Sequence, residues 1–297
     1  MRSSSPRRNT IPCCCRSRNL RCAPAPRSKW FDLDEEGRVR SDAADEVITD
    51  RTKIVAVTHV GNTTGAITDI APIIRRAHEV GAVFVLDACQ SVPHLKIDLH
   101  ALDVDFAAWS AHKMYGPTGV GFLYGKRDML EALPPANFGG SMVELAWMDQ
   151  EAQYMAPPAR FEAGHAAVAQ VVAAGVAAEW LMNIGMENLE AHERVIAGEL
   201  LKMGQIDGVR ILGPQTNEQR IGTVAFEIDG VHPHDVGQFI DAQGIAIRVG
   251  HHCAQPVHRH FGVYASNRAS SGIYNSVEDA QALVEALKKV RPFFGVE

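Results

Sequence analysis

From Thr52 onward the chain alternates short apolar runs with segments of helical character, and this alternation restricts the fold more tightly than any other feature. It is the pattern of a mainly parallel sheet with helices on its faces. "KIVAVTHV" predicts a buried strand, followed by a Gly/Asn/Thr loop and a helix around "IAPIIRRAHEV". "AVFVLDACQ" predicts a second strand whose polar residues gather at its C-terminal end, and "VDFAAWSAHK" and "GVGFLYG" follow with a turn between them. The alanine-rich middle, "AAVAQVVAAGVAAEWLMNIGMENLEAHERVIAGELLKM", predicts long helices. Beyond it "GTVAFEI", "DVGQFIDAQGI", "AIRVG" and "DAQALVEALKKV" predict a smaller α+β domain. The expected division is a leader over 1–29, a large domain over 30–185 and a C-terminal small domain over 186–297.

The leader contributes nothing to this pattern. Met1 to Lys29 has no apolar periodicity, is interrupted by prolines, and holds four of the six cysteines, Cys13, Cys14, Cys15 and Cys22. Neither helix nor strand is expected there, and the segment reads as disordered or as a translation out of frame. Its Arg- and Ser-rich, acid-free composition also resembles a transit peptide, though the prolines and the triple cysteine spoil an amphipathic helix. Of the 29 basic residues eight lie in this leader, which leaves 21 against 35 acidic residues in the rest. So acidic a body disfavours a nucleic-acid surface. No apolar run approaches the roughly 20 residues of a membrane span, so no membrane partner is expected. With only Cys89 and Cys253 in the body, no disulfide framework or metal site is expected, and a reducing, cytoplasmic setting is the better reading.

The polar residues concentrate where an α/β sheet binds ligands, beyond the carboxyl ends of its strands. Asn62, Asp87, Gln90, Ser110, His112 and Lys113 all fall at such ends. Lys113 stands in "SAHKMYGPTG", between a histidine and a Tyr-Gly-Pro turn. A solvated lysine needs no such frame, whereas one that bonds covalently to a cofactor does. Asp87 closes an apolar strand, where a carboxylate is costly unless exposed or paired with a cation. An aspartate facing a pyridinium nitrogen and a lysine bonded to an aldehyde are the paired requirements of pyridoxal 5'-phosphate. Cys253 lies in "RVGHHCAQPVH", where Arg248, His251, His252 and His258 are candidates to favour a thiolate. Cys89, at a strand end, reads as core.

In order along the chain, "HVGNTTG", "DACQSV", "SAHKMYGPTGVGFLYG", "RFEAG", "RVGHHCAQP" and "NRASSGIYN" resemble motifs of the cysteine desulfurase/selenocysteine lyase family, in the group associated with SUF iron–sulfur assembly. The likeness runs from Trp30 to the C-terminus. It implies the type I, aspartate-aminotransferase-like pyridoxal-phosphate fold and a homodimer. It implies that Lys113 carries the cofactor and moves the α proton, that Asp87 faces the pyridinium, that Gln90 bonds the phenolic oxygen, and that Ser110 and His112 hold the phosphate. Asn62 then lies near the cofactor oxygen and the substrate carboxylate, Arg268 grips that carboxylate, and Cys253 takes the sulfur as a persulfide. The implied substrate is L-cysteine, with L-selenocysteine open to the same route, and the implied partner is a sulfur-acceptor protein of the SUF system.

The chain also departs from the family. Where the family has threonine after Arg-Phe-Glu-Ala-Gly, contacting phosphate across the dimer, this chain has His165. The family's N-terminal stretch, with a Gly-Thr phosphate turn and a ring-stacking histidine, is not recognisable. With GC-favoured codons, Arg8 to Arg16 read from the third base give Glu-His-His-Ser-Leu-Leu-Leu-Pro, and the same shift over Cys22 to Ser28 gives Arg-Thr-Gly-Ala-Thr-Leu. Both resemble the absent family segments. Two rival readings follow: a catalytically impaired remnant or non-catalytic dimer partner, and another enzyme of the same fold, for which Cys253 in its histidine-rich loop would be unnecessary.

Overall fold

The computed structural model describes residues 27–296, so the leader lies outside the described residues except for Arg27 to Lys29. Two lobes, each with its own sheet and core, are built in chain order. A short helix α1 (Ala44–Val47) precedes β1 (Ile54–Thr58), α2 (Ala71–Glu79), β2 (Val83–Asp87), β3 (Phe106–Ser110) and β4 (Gly121–Gly125). After α3 (Arg127–Ala132) and the two-stranded ribbon β5 (Val143–Leu145) and β6 (Gln153–Tyr154) come two long helices, α4 (Val168–Ile184) and α5 (Met186–Leu201). The second lobe follows with β7 (Val209–Leu212), β8 (Thr223–Ile228), α6 (Pro233–Asp241), β9 (Arg248–Gly250), α7 (Gln255–Phe261), β10 (Ser266–Ser270), α8 (Val277–Leu287) and α9 (Val290–Phe294).

The first sheet has the order β1-β2-β3-β4, parallel through β3 with β4 antiparallel at the edge. The alternation read from the sequence explains it. Val55 and Val57 of β1 and Phe84 and Leu86 of β2 point into one layer, where α2 covers them with Ile73, Ile74 and Ala77. Pro72 starts α2 at a position where its missing N–H costs nothing. Asp105, itself buried, receives the Phe84 N–H at 2.8 Å and the Lys126 ammonium at 2.7 Å, so the carboxylate beneath the sheet is fully paired.

The second sheet, β7-β8-β10-β9, is antiparallel throughout. Val224, Phe226 and Ile228 of β8 face a core completed by Ile196 and Leu200 of α5, Val236 and Ile240 of α6, and Leu283 and Leu287 of α8. The structure is thus α/β, with a mainly parallel sheet, flanking helices and a smaller C-terminal α+β part, as the patterning predicted. Gly185, at φ 89°, separates α4 from α5, and the two helices meet at 77°. No single helix among the described residues is long and apolar enough to cross a membrane.

Candidate active site

The carboxyl ends of β1, β2 and β3 lie side by side because the strands are parallel and in register, with Thr58 opposite Asp87 and Asp87 opposite Ala108. Asp87 is half-buried. Its Oδ1 accepts the Cys89 N–H at 3.0 Å and its Oδ2 accepts the Thr58 hydroxyl at 3.5 Å. No cation pairs with it among the described residues. Cys89 is not core: it stands two residues past the strand, half-exposed, its thiol pointed at the Ala108 carbonyl 3.9 Å away. Burial and the Asp87 charge push that thiol above its ordinary value, while Lys113 and the Ser110 hydroxyl act in the opposite sense. One sulfur therefore senses Asp87, Ser110 and Lys113 together.

Lys113 ends a single 3-10 turn, Ala111–Lys113, closed between β3 and β4. The Ala111 N–H donates to the Val120 carbonyl at 3.1 Å, and the Gly116 N–H returns to the Ala111 carbonyl at 3.0 Å. A Cβ on Gly116 would stand 2.9 Å from that carbonyl, so the turn requires glycine there. Tyr115 takes a left-handed backbone, φ 63°, and its hydroxyl accepts the Ile273 N–H at 2.9 Å from the other lobe. Its ring meets Trp180 of α4 edge-on at 5.7 Å. This is why the lysine is framed by a tyrosine turn: the frame fixes the loop while His112 and Lys113 stay exposed, and Lys113 forms no ion pair among the described residues. Gln90 is half-buried just beyond Cys89.

In the second lobe the loop after β9 presents Cys253. His252 and Cys253 both have left-handed backbones, φ 50° and 58°, unusual for side chains bearing a Cβ. The Asn62 Nδ2 donates to the His252 carbonyl at 2.7 Å, and the His252 Nε2–H reaches the Ser266 carbonyl at 3.2 Å. His258, buried, donates from Nδ1 to the Ala254 carbonyl at 3.0 Å and accepts the Ser266 hydroxyl on Nε2 at 2.9 Å. Cys253 is left exposed on this braced loop. Burial, reinforced by the Arg268 charge, pushes His252 down to about 4, and burial also lowers His258. His252 is therefore not a cation near neutral pH and does not supply the positive charge that would favour a thiolate. The positive charge beside Cys253 is Arg268. Burial and then Arg248 lower that guanidinium from its ordinary value, and Cys253 opposes them. Arg268 Nη1 donates to the Asn62 carbonyl at 2.9 Å, while its Nε is buried with no partner among the described residues.

The structure therefore brings Asp87, Ser110 and Lys113 together on one rim and Asn62, Arg268 and Cys253 together on a second. It does not bring His165 to either by any hydrogen bond: that residue is exposed after Gly164, whose own N–H donates to the Gly140 carbonyl at 2.8 Å. Thr58, Tyr115 and the Asn62–His252 tie were missed in the sequence, because nothing in local spacing signals a contact across 190 residues. The donor set suits an anionic, aldehyde-bearing aromatic ring. It offers an unpaired amine, a half-buried carboxylate without a cation, a hydroxyl and imidazole at Ser110 and His112, and a buried guanidinium N–H awaiting an acceptor.

The family model for class-V aminotransferases matches residues 20–283. The chain belongs to the class-V aminotransferase family. That family works with pyridoxal phosphate. Among curated relatives, a probable cysteine desulfurase of Mycobacterium leprae is 47% identical over 270 residues, covering 91% of this chain and 64% of the relative. One from Streptomyces coelicolor is 44% identical over 268 residues, covering 90% and 64%. Among solved structures, the Escherichia coli cysteine desulfurase CsdA superposes with a TM-score of 0.82 at 35% identity, covering 88% of this chain and 64% of that one. An apo cysteine desulfurase from Thermococcus onnurineus gives 0.84 at 32% identity, covering 89% and 66%. This class-V aminotransferase-family chain thus spans about 64% of the length of the curated relatives it matches.

Proposed function

We propose that the chain is a cysteine desulfurase: L-cysteine and the Cys253 thiol become L-alanine and a persulfide on Cys253. The observation that carries this reading is the exposed Cys253 on a loop braced through Asn62 to Arg268, in a chain whose first sheet also presents a lysine and an aspartate with no ion pair among the described residues. Pyridoxal phosphate, when bound, supplies an electron sink for the carbon next to the amino group. In this reading residues 30–185 would hold it: Lys113 would bond its aldehyde, Asp87 would pair with the ring nitrogen, Gln90 and Asn62 would serve the ring oxygen, and Ser110 and His112 would hold the phosphate. Residues 186–297 bring the cysteine loop.

Arg268 binds the substrate carboxylate through two parallel N–H donors, with Asn62 beside it. Lys113 moves the Cα proton. The Cys253 thiolate attacks the substrate sulfur; the new S–S bond forms as the Cβ–S bond breaks, its electron pair passing to the carbon skeleton, which is protonated and leaves as alanine. In this reading the sulfur then passes to an acceptor protein of the SUF system of iron–sulfur assembly, whose group the His-His-Cys-Ala setting resembles, the enzyme works as a cytoplasmic homodimer, and L-selenocysteine enters by the same route.

Lys113→Ala is expected to abolish both the visible absorbance of lysine-bound cofactor and all turnover. Cys253→Ala is expected to keep that absorbance and to release no alanine from cysteine. Full cysteine desulfuration by Cys253→Ala would falsify the reading. A second reading, a remnant impaired in catalysis or a non-catalytic partner of an intact homologue, is favoured by the apolar outer face of α4, where Val168, Val172 and Val176 are all more than 60% exposed. Expressing residues 1–297 beside a frame-corrected gene separates the two: equal cofactor occupancy and alanine release exclude the impaired remnant. Resequencing upstream of the Trp30 codon tests the out-of-frame leader directly.

A further inference from the structure

We infer that Arg220 is a positioning residue that sets the substrate-side rim, Asn62, Arg268 and Cys253, against the Lys113 rim; this rests on the desulfurase reading for what the rims do. Arg220 is 8% exposed, a buried guanidinium with no ion pair among the described residues. Its donors go to main-chain oxygens instead. Nη1 donates to the Pro214 carbonyl at 2.5 Å, Nη2 to Thr223 at 2.6 Å and to Thr64 at 3.4 Å, and Nε to Ile221 at 3.3 Å. Three of these carbonyls belong to the second lobe, beside or within β8. Thr64 belongs to the loop after β1 that carries Asn62.

That loop is seated on the second lobe from Asn62 to Ile67. The Ile67 N–H donates to the Gln219 carbonyl and the Ile221 N–H to the Gly65 carbonyl, both at 2.9 Å, a short antiparallel ladder either side of Arg220. Gly65, φ 71°, comes so close that a Cβ there would stand 2.3 Å from the Thr223 carbonyl. Thr63 and Thr64 are fully buried. Arg38 adds a second cationic brace, from Nε to the Ile67 carbonyl at 3.2 Å and from Nη2 to the Glu218 and Gln219 carbonyls at 3.4 Å.

Asn62 leaves this clamped loop to hold both members of the substrate rim. Its side chain holds the His252 carbonyl next to Cys253, and its carbonyl holds Arg268. Two left-handed residues in succession, His252 and Cys253, persist only where their surroundings over-determine them. The geometry of the nucleophile and of the carboxylate grip is therefore downstream of one buried guanidinium that touches neither. A lysine, with three donors on one nitrogen, cannot reproduce the planar fork that spans Pro214, Thr223 and Thr64.

The test uses the full chain with Arg220→Met and Arg220→Lys, and Gly65→Ala as a second way to lift the loop off the Thr223 carbonyl. The first readout is deuterium labelling of backbone amides, followed by peptide mass spectrometry, with the turn over 111–116 of the Lys113 rim as internal control. Exchange in the loop holding His252 and Cys253 is expected to rise about tenfold in Arg220→Met and less in Arg220→Lys, with the control turn unchanged, because only the braced loop is released. A parallel rise in both segments means general loosening and overturns the assignment, as does no rise in the Cys253 loop. The second readout is steady-state kinetics: KM for L-cysteine is expected to rise about tenfold and kcat to fall with it, since the carboxylate grip and the nucleophile are both displaced, while cofactor absorbance changes little. A fall in kcat with KM unaltered overturns it too. If the parent chain releases no alanine from cysteine, the desulfurase reading fails while the labelling arm still decides the clamp.

Discussion

At the scale of single residues, the two rims differ in how their side chains are held. Asp87 and Lys113 are left without counter-ions, whereas Arg268 and Cys253 belong to a network anchored on Asn62 and Ser266. Arg268→Lys keeps the charge and loses the fork, so KM for cysteine is expected to rise tenfold or more, roughly, with cofactor absorbance unchanged. An unaltered KM would show that Arg268 does not touch the substrate. Two half-buried histidines make stability fall on the acid side. Burial pushes His59 and His252 down to about 4, so both are neutral in the folded chain at neutral pH. Between about 6.5, the ordinary histidine value, and 4 the unfolded chain binds more protons than the folded one. Their contribution to stability is thus complete above pH 6.5 and declines as pH falls toward 4. His252→Asn is expected to flatten the dependence of urea midpoint on pH across that window, and an unchanged slope would mean that His252 does not titrate there.

At the scale of elements, the sequence was legible wherever one face of a strand or helix meets a core. "AVFVLDACQ" reads as β2 because Phe84 and Leu86 alternate into a layer that α2 covers, and "GTVAFEI" reads as β8 for the same reason in the second lobe. The positions of Asp87, Ser110 and Lys113 were legible too, since parallel strands deliver their carboxyl ends to one side. What was not legible is what main-chain atoms do: the Arg220 clamp, the Asn62–His252 tie and the Tyr115–Ile273 bond join segments 156, 190 and 158 residues apart through backbone groups that carry no residue-type signal. The neutral state of His252 was hidden likewise, because the "HHC" cluster gives composition but not burial. The start of α8 shows a local signal with a measurable worth. Ser276 accepts the Asp279 N–H at 3.2 Å while the Asp279 carboxylate accepts the Ser276 N–H at 2.9 Å, a reciprocal capping box. Ser276→Ala is expected to cost about 1 kcal/mol in urea unfolding. A cost near zero would mean that the packing of Leu283 and Leu287 alone holds the helix.

At the scale of the whole molecule, the described surface is unusually apolar in one place. Along α4, Val168, Val172, Val176 and Trp180 recur every four residues and form one ridge, 66%, 64%, 62% and 45% exposed, while Ala174, Ala177 and Leu181 face inward. The first sheet is open at both edges, with Ile54 on β1 66% exposed and Leu123 on β4 61% exposed. Unpaired edges and a continuous apolar ridge both drive association. The full chain is therefore expected to sediment as species larger than a monomer, with a size that grows with concentration. Replacing Val172 by Glu and Val176 by Lys charges the middle of the ridge and raises helix propensity, so α4 itself is preserved. The double variant is expected to shift toward the monomer with its circular dichroism unchanged, and Leu123→Lys to add to that shift by blunting the β4 edge. Association that persists with all three substitutions combined would locate the contact away from α4 and β4, since neither the ridge nor that edge could then be the surface that joins the copies.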